Sequence, residues 1–161
     1  VNNMISGFLR QVGQFAVGPV VMALKALIAP VALGAHALVV DRSGRIALVR
    51  HSYMSGWSLP GGGVARGEPA SVAVLREMRE ELGEVRSDPP VLFGLYTRPT
   101  GWATTVIALY VVAHAEVEFR RNFEVREMIF VDPADPPAGT TQGTRRRLAE
   151  FTNKTPPSPY W

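Results

Sequence analysis

The sequence predicts an α/β domain in which a mixed sheet lies between helices. Three observations carry this. Residues 69–82 have the composition and spacing of one long helix, β-rich runs flank it on both sides, and a second helical stretch runs from about Thr140 to Phe151. At 161 residues the chain is long enough for one domain with a real core, and 47% apolar with 19% charged residues is ordinary for a globular protein. Cysteine is absent, which excludes disulfides and thiolate metal sites. A net charge of +3, with a pI near 9.7, suits anionic substrates but is too small to indicate nucleic-acid binding by itself.

Residues 1–30 form an N-terminal amphipathic helical segment. Phe8, Leu9, Val12, Phe15, Val20, Leu24, Leu27 and Ile28 follow helical spacing, broken at Gly18-Pro19 and ended by Pro30, so the segment is one kinked helix or two short ones. Its apolar stripe suits docking on the rest of the chain, on a second copy in a homodimer, or on a membrane surface. Lys25, Pro19, Pro30 and His36 divide the apolar run and argue against a membrane span. Cleavage of a secretory signal near Ala35 would remove much of the first strand. The expected location is cytoplasmic, with membrane contact through residues 1–30 as the alternative.

The main domain is expected over residues 31–152, followed by an extended tail at 153–161. Ala32 to Val40 and Arg45 to His51 are β-rich and separated by the turn residues Asp41-Arg42-Ser43-Gly44, which predicts a hairpin. Trp57 precedes the glycine run Gly61-Gly62-Gly63; it is either a core anchor or a ring on which a base stacks. The helix runs from about Pro69 to Leu82, with Gly83 at its stop. Strands are expected at Val91 to Thr97 and Thr104 to Val112, around a loop whose Arg98 and Trp102 face either a substrate or solvent. A further strand, Val125 to Val131, has Glu124 and Glu127 at its start. In the last helix Leu148 and Phe151 point inward, and Arg145, Arg146 and Arg147 form a basic cluster read as a solvated face.

On the long helix Ala73, Val74, Met78 and Leu82 form an apolar stripe, while Glu77, Glu80, Glu81 and Glu84 gather on another face. Like charges four residues apart cost a helix about 0.2–0.5 kcal/mol per pair, so something should offset them. Hard divalent cations prefer carboxylate oxygens and bridge them to phosphates. The order Gly62, five residues, Glu68, seven residues, Arg76-Glu77-Met78, one residue, Glu80-Glu81, one residue, Gly83 resembles the signature of the Nudix hydrolases. One position departs: the residue after Gly83 is normally apolar and here is Glu84, with Val85 following.

The resemblance implies an α/β/α sandwich and a hydrolase that cleaves a diphosphate linkage in a nucleoside diphosphate joined to another group. It implies Glu77, Glu80 and Glu81 as the main metal ligands, the Gly61 carbonyl and Glu68 as supporting members, and Arg76 as the group that orients a ligand carboxylate. The expected cofactor is Mg2+, with Mn2+ able to substitute, since His36, His51 and His114 all lie outside the box. A cation would neutralise phosphoryl charge and acidify the attacking water. The general base is Glu77, or else Glu124 or Glu127. Partners are small nucleotides and, among nucleic acids, an RNA 5′ end. The competing reading is a Nudix-fold binding or regulatory module without hydrolysis, which tends to lose the acidic set that is complete here.

Overall fold

A computed structural model describes residues 30–161 together with Leu24, Leu27 and Ile28. The segment expected over residues 1–30 thus lies almost wholly outside the described residues; Leu24, Leu27 and Ile28 are helical and exposed. No helix among the described residues is long and apolar enough to cross a membrane.

From Pro30 onward the elements are β1 (Val31–Val39), β2 (Ile46–His51), β3 (Gly61–Gly63), α1 (Ala70–Leu82), β4 (Gly83–Arg86), β5 (Val91–Thr100), β6 (Ala103–Val112), β7 (Glu116–Phe119), β8 (Val125–Val131) and α2 (Gln142–Phe151). One sheet has the order β3-β1-β6-β5, with β1 and β6 parallel and the other pairs antiparallel. The pairs β2-β8 and β4-β7 are both antiparallel. The sheet is therefore mixed, as predicted.

Alternation along the strands builds a core on each face, because successive side chains of a strand point to opposite sides. From β1, Ala35, Ala37 and Val39 join one apolar cluster and Leu38 the other; from β6, Ala108, Tyr110 and Val112 join the first and Ile107 and Leu109 the second. Ala73, Val74, Met78 and Leu82 of α1 cover the first face, and Leu148 of α2, with Phe151 packed against it, covers the second. Helices on both faces explain why β1 and β2 read as nearly continuous apolar runs.

Three sequence readings need correction. The strands β1 and β2 are connected by the expected tight turn, in which the Asp41 N–H donates to the Arg45 carbonyl, but they form no hairpin. β1 is flanked by β6 and β3, so β2 meets it only at the Val40–Ile46 bridge and pairs with β8 instead. Secondly, Glu77 and Glu81 do not share a solvated face with Glu80 and Glu84. They are 9% and 2% exposed, Glu80 is exposed, and Glu84 has left the helix. Gly83 caps α1 with φ 91°, and the chain continues as β4, in which Glu84 points out and Val85 packs against the core. The displaced apolar position of the signature is thus filled by strand alternation. Thirdly, the basic cluster is not uniformly solvated: Arg145 and Arg146 are exposed, while Arg147 is 0% exposed and paired with Glu150.

Candidate active site

The site begins at β3, where the glycine run presses against both β1 and α1. Gly61 has φ 137°, and a Cβ there would lie 2.6 Å from the His36 Cα. At Gly62 a Cβ would lie 2.5 Å from the Glu77 carboxylate. Only glycines let the backbone pass this close to an acidic side chain. The turn is thereby held against Glu77 and Glu81, which one turn of α1 separates on the same helix face.

Arg76 organises the carboxylates around it. Its Nε and Nη2 donate to Glu68 at 2.9 Å each, a bidentate pair; Nη1 donates to Glu77 at 2.7 Å and to Glu80 at 3.1 Å, and Nη2 also reaches the Gly63 carbonyl at 2.9 Å. This fork, aided by the Ala65 N–H, holds the Glu68 carboxyl down at about 2. Glu77 moves the other way: burial pushes its carboxyl up against the pull of Arg76, and the charges of Glu81 and Glu80 add to the rise. Glu81 is gripped from two sides. The Gly61 N–H donates to its Oε2 at 2.8 Å, and His51 Nε2 lies 2.7 Å from its Oε1. Ser58 Oγ stands 3.2 Å from His51 Nδ1.

Beside these groups opens a cleft of about 550 Å3. Its floor is Gly61, Gly62, Gly63 and the outer part of β1; its walls include His36, Arg98, Thr144, Arg146 and Trp161. The last of these arrives with the tail, which is not free. The Thr97 N–H donates to the Pro159 carbonyl and the Trp161 N–H to the Thr97 carbonyl, so the end of the chain lies along β5. The Trp161 ring centroid is 5.2 Å from that of His36 and 5.8 Å from that of Tyr96.

The other residues singled out from the sequence are dispersed. Trp57 is buried in the second cluster with the Arg50 guanidinium 4.4 Å from its ring. Trp102 stands 81% exposed at the β5-β6 tip, outside the cleft, whereas Arg98 lines it. Glu127 pairs with Arg50 at 3.3 Å on the exposed side of β8. Glu124 lies on the loop that Asn122 ties to α1: Asn122 Nδ2 donates to the carbonyls of Glu80 and Glu81, and its Oδ1 accepts the N–H of Glu124. Burial raises the Tyr53 hydroxyl, and the charges of Glu81, Glu124 and Glu77 add to the rise. His51, Asn122 and Trp161 escaped the sequence reading because each reaches the site from a distant part of the chain.

Among the described residues no three acidic, histidine or cysteine side chains converge as a ready-made ion site. The donor set still suits a hard divalent cation: it is all oxygen, and two of its carboxylates are buried against a backbone turn. One oxygen of Glu77 is engaged by Arg76, and its carboxylate also faces Gly62.

A family model described as the NUDIX domain matches residues 30–151. An RNA pyrophosphohydrolase of Hydrogenovibrio crunogenus is 31% identical over 77 residues, 48% of this chain and 44% of that protein. This chain spans less than half the length of the curated relatives it matches. Among solved structures, a MutT NUDIX hydrolase from Burkholderia pseudomallei superposes with TM-score 0.64 at 28% identity, covering 73% of this chain and 95% of the other. A MutT protein from Methanosarcina mazei Go1, at 22% identity and TM-score 0.66, covers 80% of this chain and 98% of its own and shows the shared fold.

Proposed function

The chain belongs to the NUDIX family, and from this we propose that it hydrolyses a phosphoric anhydride bond in a nucleoside diphosphate joined to another group, using Mg2+ or Mn2+. The observation that supports this best is the placement of two buried carboxylates, Glu77 and Glu81, against the Gly61–Gly63 turn on the floor of a nucleotide-sized cleft.

In this reading Glu77, Glu80 and Glu81 hold the cation, with the Gly61 carbonyl and Glu68 in support. The cation, when bound, neutralises charge on the phosphoryl oxygens and makes the attacking water more acidic. Arg76 keeps Glu68, Glu77 and Glu80 in one network, so its loss would let three carboxylates drift apart. Glu77 is the favoured base, because it is buried against the Gly61–Gly63 turn on the cleft floor. Of the alternatives outside the box, Glu124 belongs to the loop fixed on α1, while Glu127 is occupied by Arg50. The diphosphate lies along the glycine turn, and the nucleoside reaches toward Arg98, His36 and Trp161. Arg98 supplies a cation for phosphate or base.

The names of the relatives, among them an RNA pyrophosphohydrolase and an ADP-ribose pyrophosphatase, define the compounds to test. The full chain is to be assayed with Mg2+ or Mn2+ against nucleoside triphosphates, nucleotide sugars, ADP-ribose, dinucleoside polyphosphates and 5′-triphosphorylated RNA. Cleavage of at least one compound at a phosphoric anhydride bond is expected. Tight nucleotide binding without cleavage of any of them would favour the binding-module reading instead.

A further inference from the structure

The buried contact between His51 and Glu81 lies outside the signature and is not needed to hold β2 in its place. β2 is already paired with β8 along its length. Glu81 is one of the most buried charged side chains of the domain, and an ionised carboxylate can only accept hydrogen bonds. An ionised Glu81 thus needs a donor at Oε1, and His51 Nε2, at 2.7 Å, is placed to supply it. The Ser58 Oγ stands 3.2 Å from Nδ1, the opposite ring nitrogen, so both ring nitrogens have a polar partner while Nε2 faces Glu81. With the Gly61 N–H on the other oxygen, both ends of the carboxylate are fixed.

We propose that His51 is a positioning residue for the divalent cation, acting through Glu81; this rests on the reading of Glu81 as a ligand. Each carboxylate oxygen has two acceptor sites, so Glu81 can satisfy His51 and Gly61 and keep sites for a metal. Without the imidazole, a buried oxygen would lose its donor and the side chain would turn toward another, spoiling its direction as a ligand. Partners that hold a metal ligand in this way are commonly worth 10–100-fold in metal affinity.

The test measures Mn2+ binding to the full chain by calorimetry, without substrate. His51→Leu should weaken binding by about 10–100-fold, and His51→Gln, whose amide N–H occupies the place of Nε2–H, should restore most of it. Nitrogen NMR of the wild-type histidine rings gives a second readout that needs no folded variant: His51 should carry a proton on Nε2, with and without Mg2+. A folded His51→Leu that binds Mn2+ as the wild type does, or a bare Nε2, overturns the proposal while leaving the metal site standing. Wild-type protein that binds no Mn2+ at all overturns the metal reading, and the role of His51 with it.

Discussion

Glu81→Gln separates ligand chemistry from folding more cleanly than most buried substitutions. The amide oxygen can still accept from the Gly61 N–H, and the amide N–H can donate to His51 Nε2 if the ring proton moves to Nδ1, where Ser58 Oγ accepts it. Every polar group keeps a partner, so the unfolding midpoint should stay close to wild type. Turnover should fall by tens-fold or more, because a neutral amide is a poor ligand for a hard cation. Normal turnover with an unchanged metal requirement would remove Glu81 from the ligand set. His36 makes a different prediction. Burial holds its imidazole at about 4, helped by the charges of Arg98 and His51 and opposed by the Leu59 and Pro60 backbone, and its Nδ1 has no hydrogen-bond partner among the described residues. The unfolded chain takes up this proton near pH 6.5 and the folded chain only near pH 4, so stability should drop as pH falls between these values, by up to about 3 kcal/mol. Glu77, raised in the folded state, works in the opposite sense on acidification. Urea unfolding of wild type beside His36→Gln isolates the histidine: the variant should show a flatter decline from pH 6.5 to 4, and parallel curves would refute the assignment.

The elements were mostly legible because local rules set them. Proline at the start and glycine at the stop delimited α1, whose apolar stripe is buried as expected, and Val125–Val131 was read with the bounds it has. Pairing is not legible, since it depends on which strand edges other segments already occupy; the turn signal alone predicts a β1-β2 hairpin. Burial of individual charges was equally hidden. Helical spacing puts Glu77 and Glu81 together, but only the approach of the glycine turn decides that they face inward. The turn also supplies a test at this scale. Gly62→Ala should push a methyl group into the Glu77 carboxylate and lower turnover at least tenfold, whereas a Cβ at Gly63 meets nothing within 4 Å, so Gly63→Ala should cost far less. Steady-state kinetics of the two variants, with melting curves as a folding control, make the comparison. Equal effects would mean that the close approach to Glu77 is unimportant.

At the level of the whole molecule, the last residues close one side of the cleft, and a buried ion pair holds them there. Arg147 Nη2 donates to Glu150 at 2.6 Å and Nη1 to the Tyr160 carbonyl at 2.9 Å, with the guanidinium 3.9 Å from the Tyr96 ring; the Ser158 N–H and the Tyr96 hydroxyl also donate to Glu150. Composition marks Arg145, Arg146 and Arg147 alike; Arg146 also donates to the Trp161 carbonyl, and nothing local distinguishes Arg147 as the one that is buried. Removing one partner of a buried pair strands the other, so Arg147→Ala should destabilise the domain by about 3–5 kcal/mol, read by urea unfolding, and raise KM for nucleotide more than it lowers kcat as Trp161 loosens. A change below about 1 kcal/mol, the range of an exposed pair, would show that the latch is not structural. The glycine turn and the buried carboxylates against it are the centre of the proposed site. The most direct test of that centre is the rate of cleavage of an active compound after exhaustive chelation, then with Mg2+ or Mn2+ restored, in wild type beside Glu77→Gln. Turnover should vanish in chelator, return with either cation in the wild type, and stay depressed by tens-fold or more in the variant; undiminished cleavage in chelator, or full recovery in Glu77→Gln, would contradict catalysis by a cation held on these carboxylates.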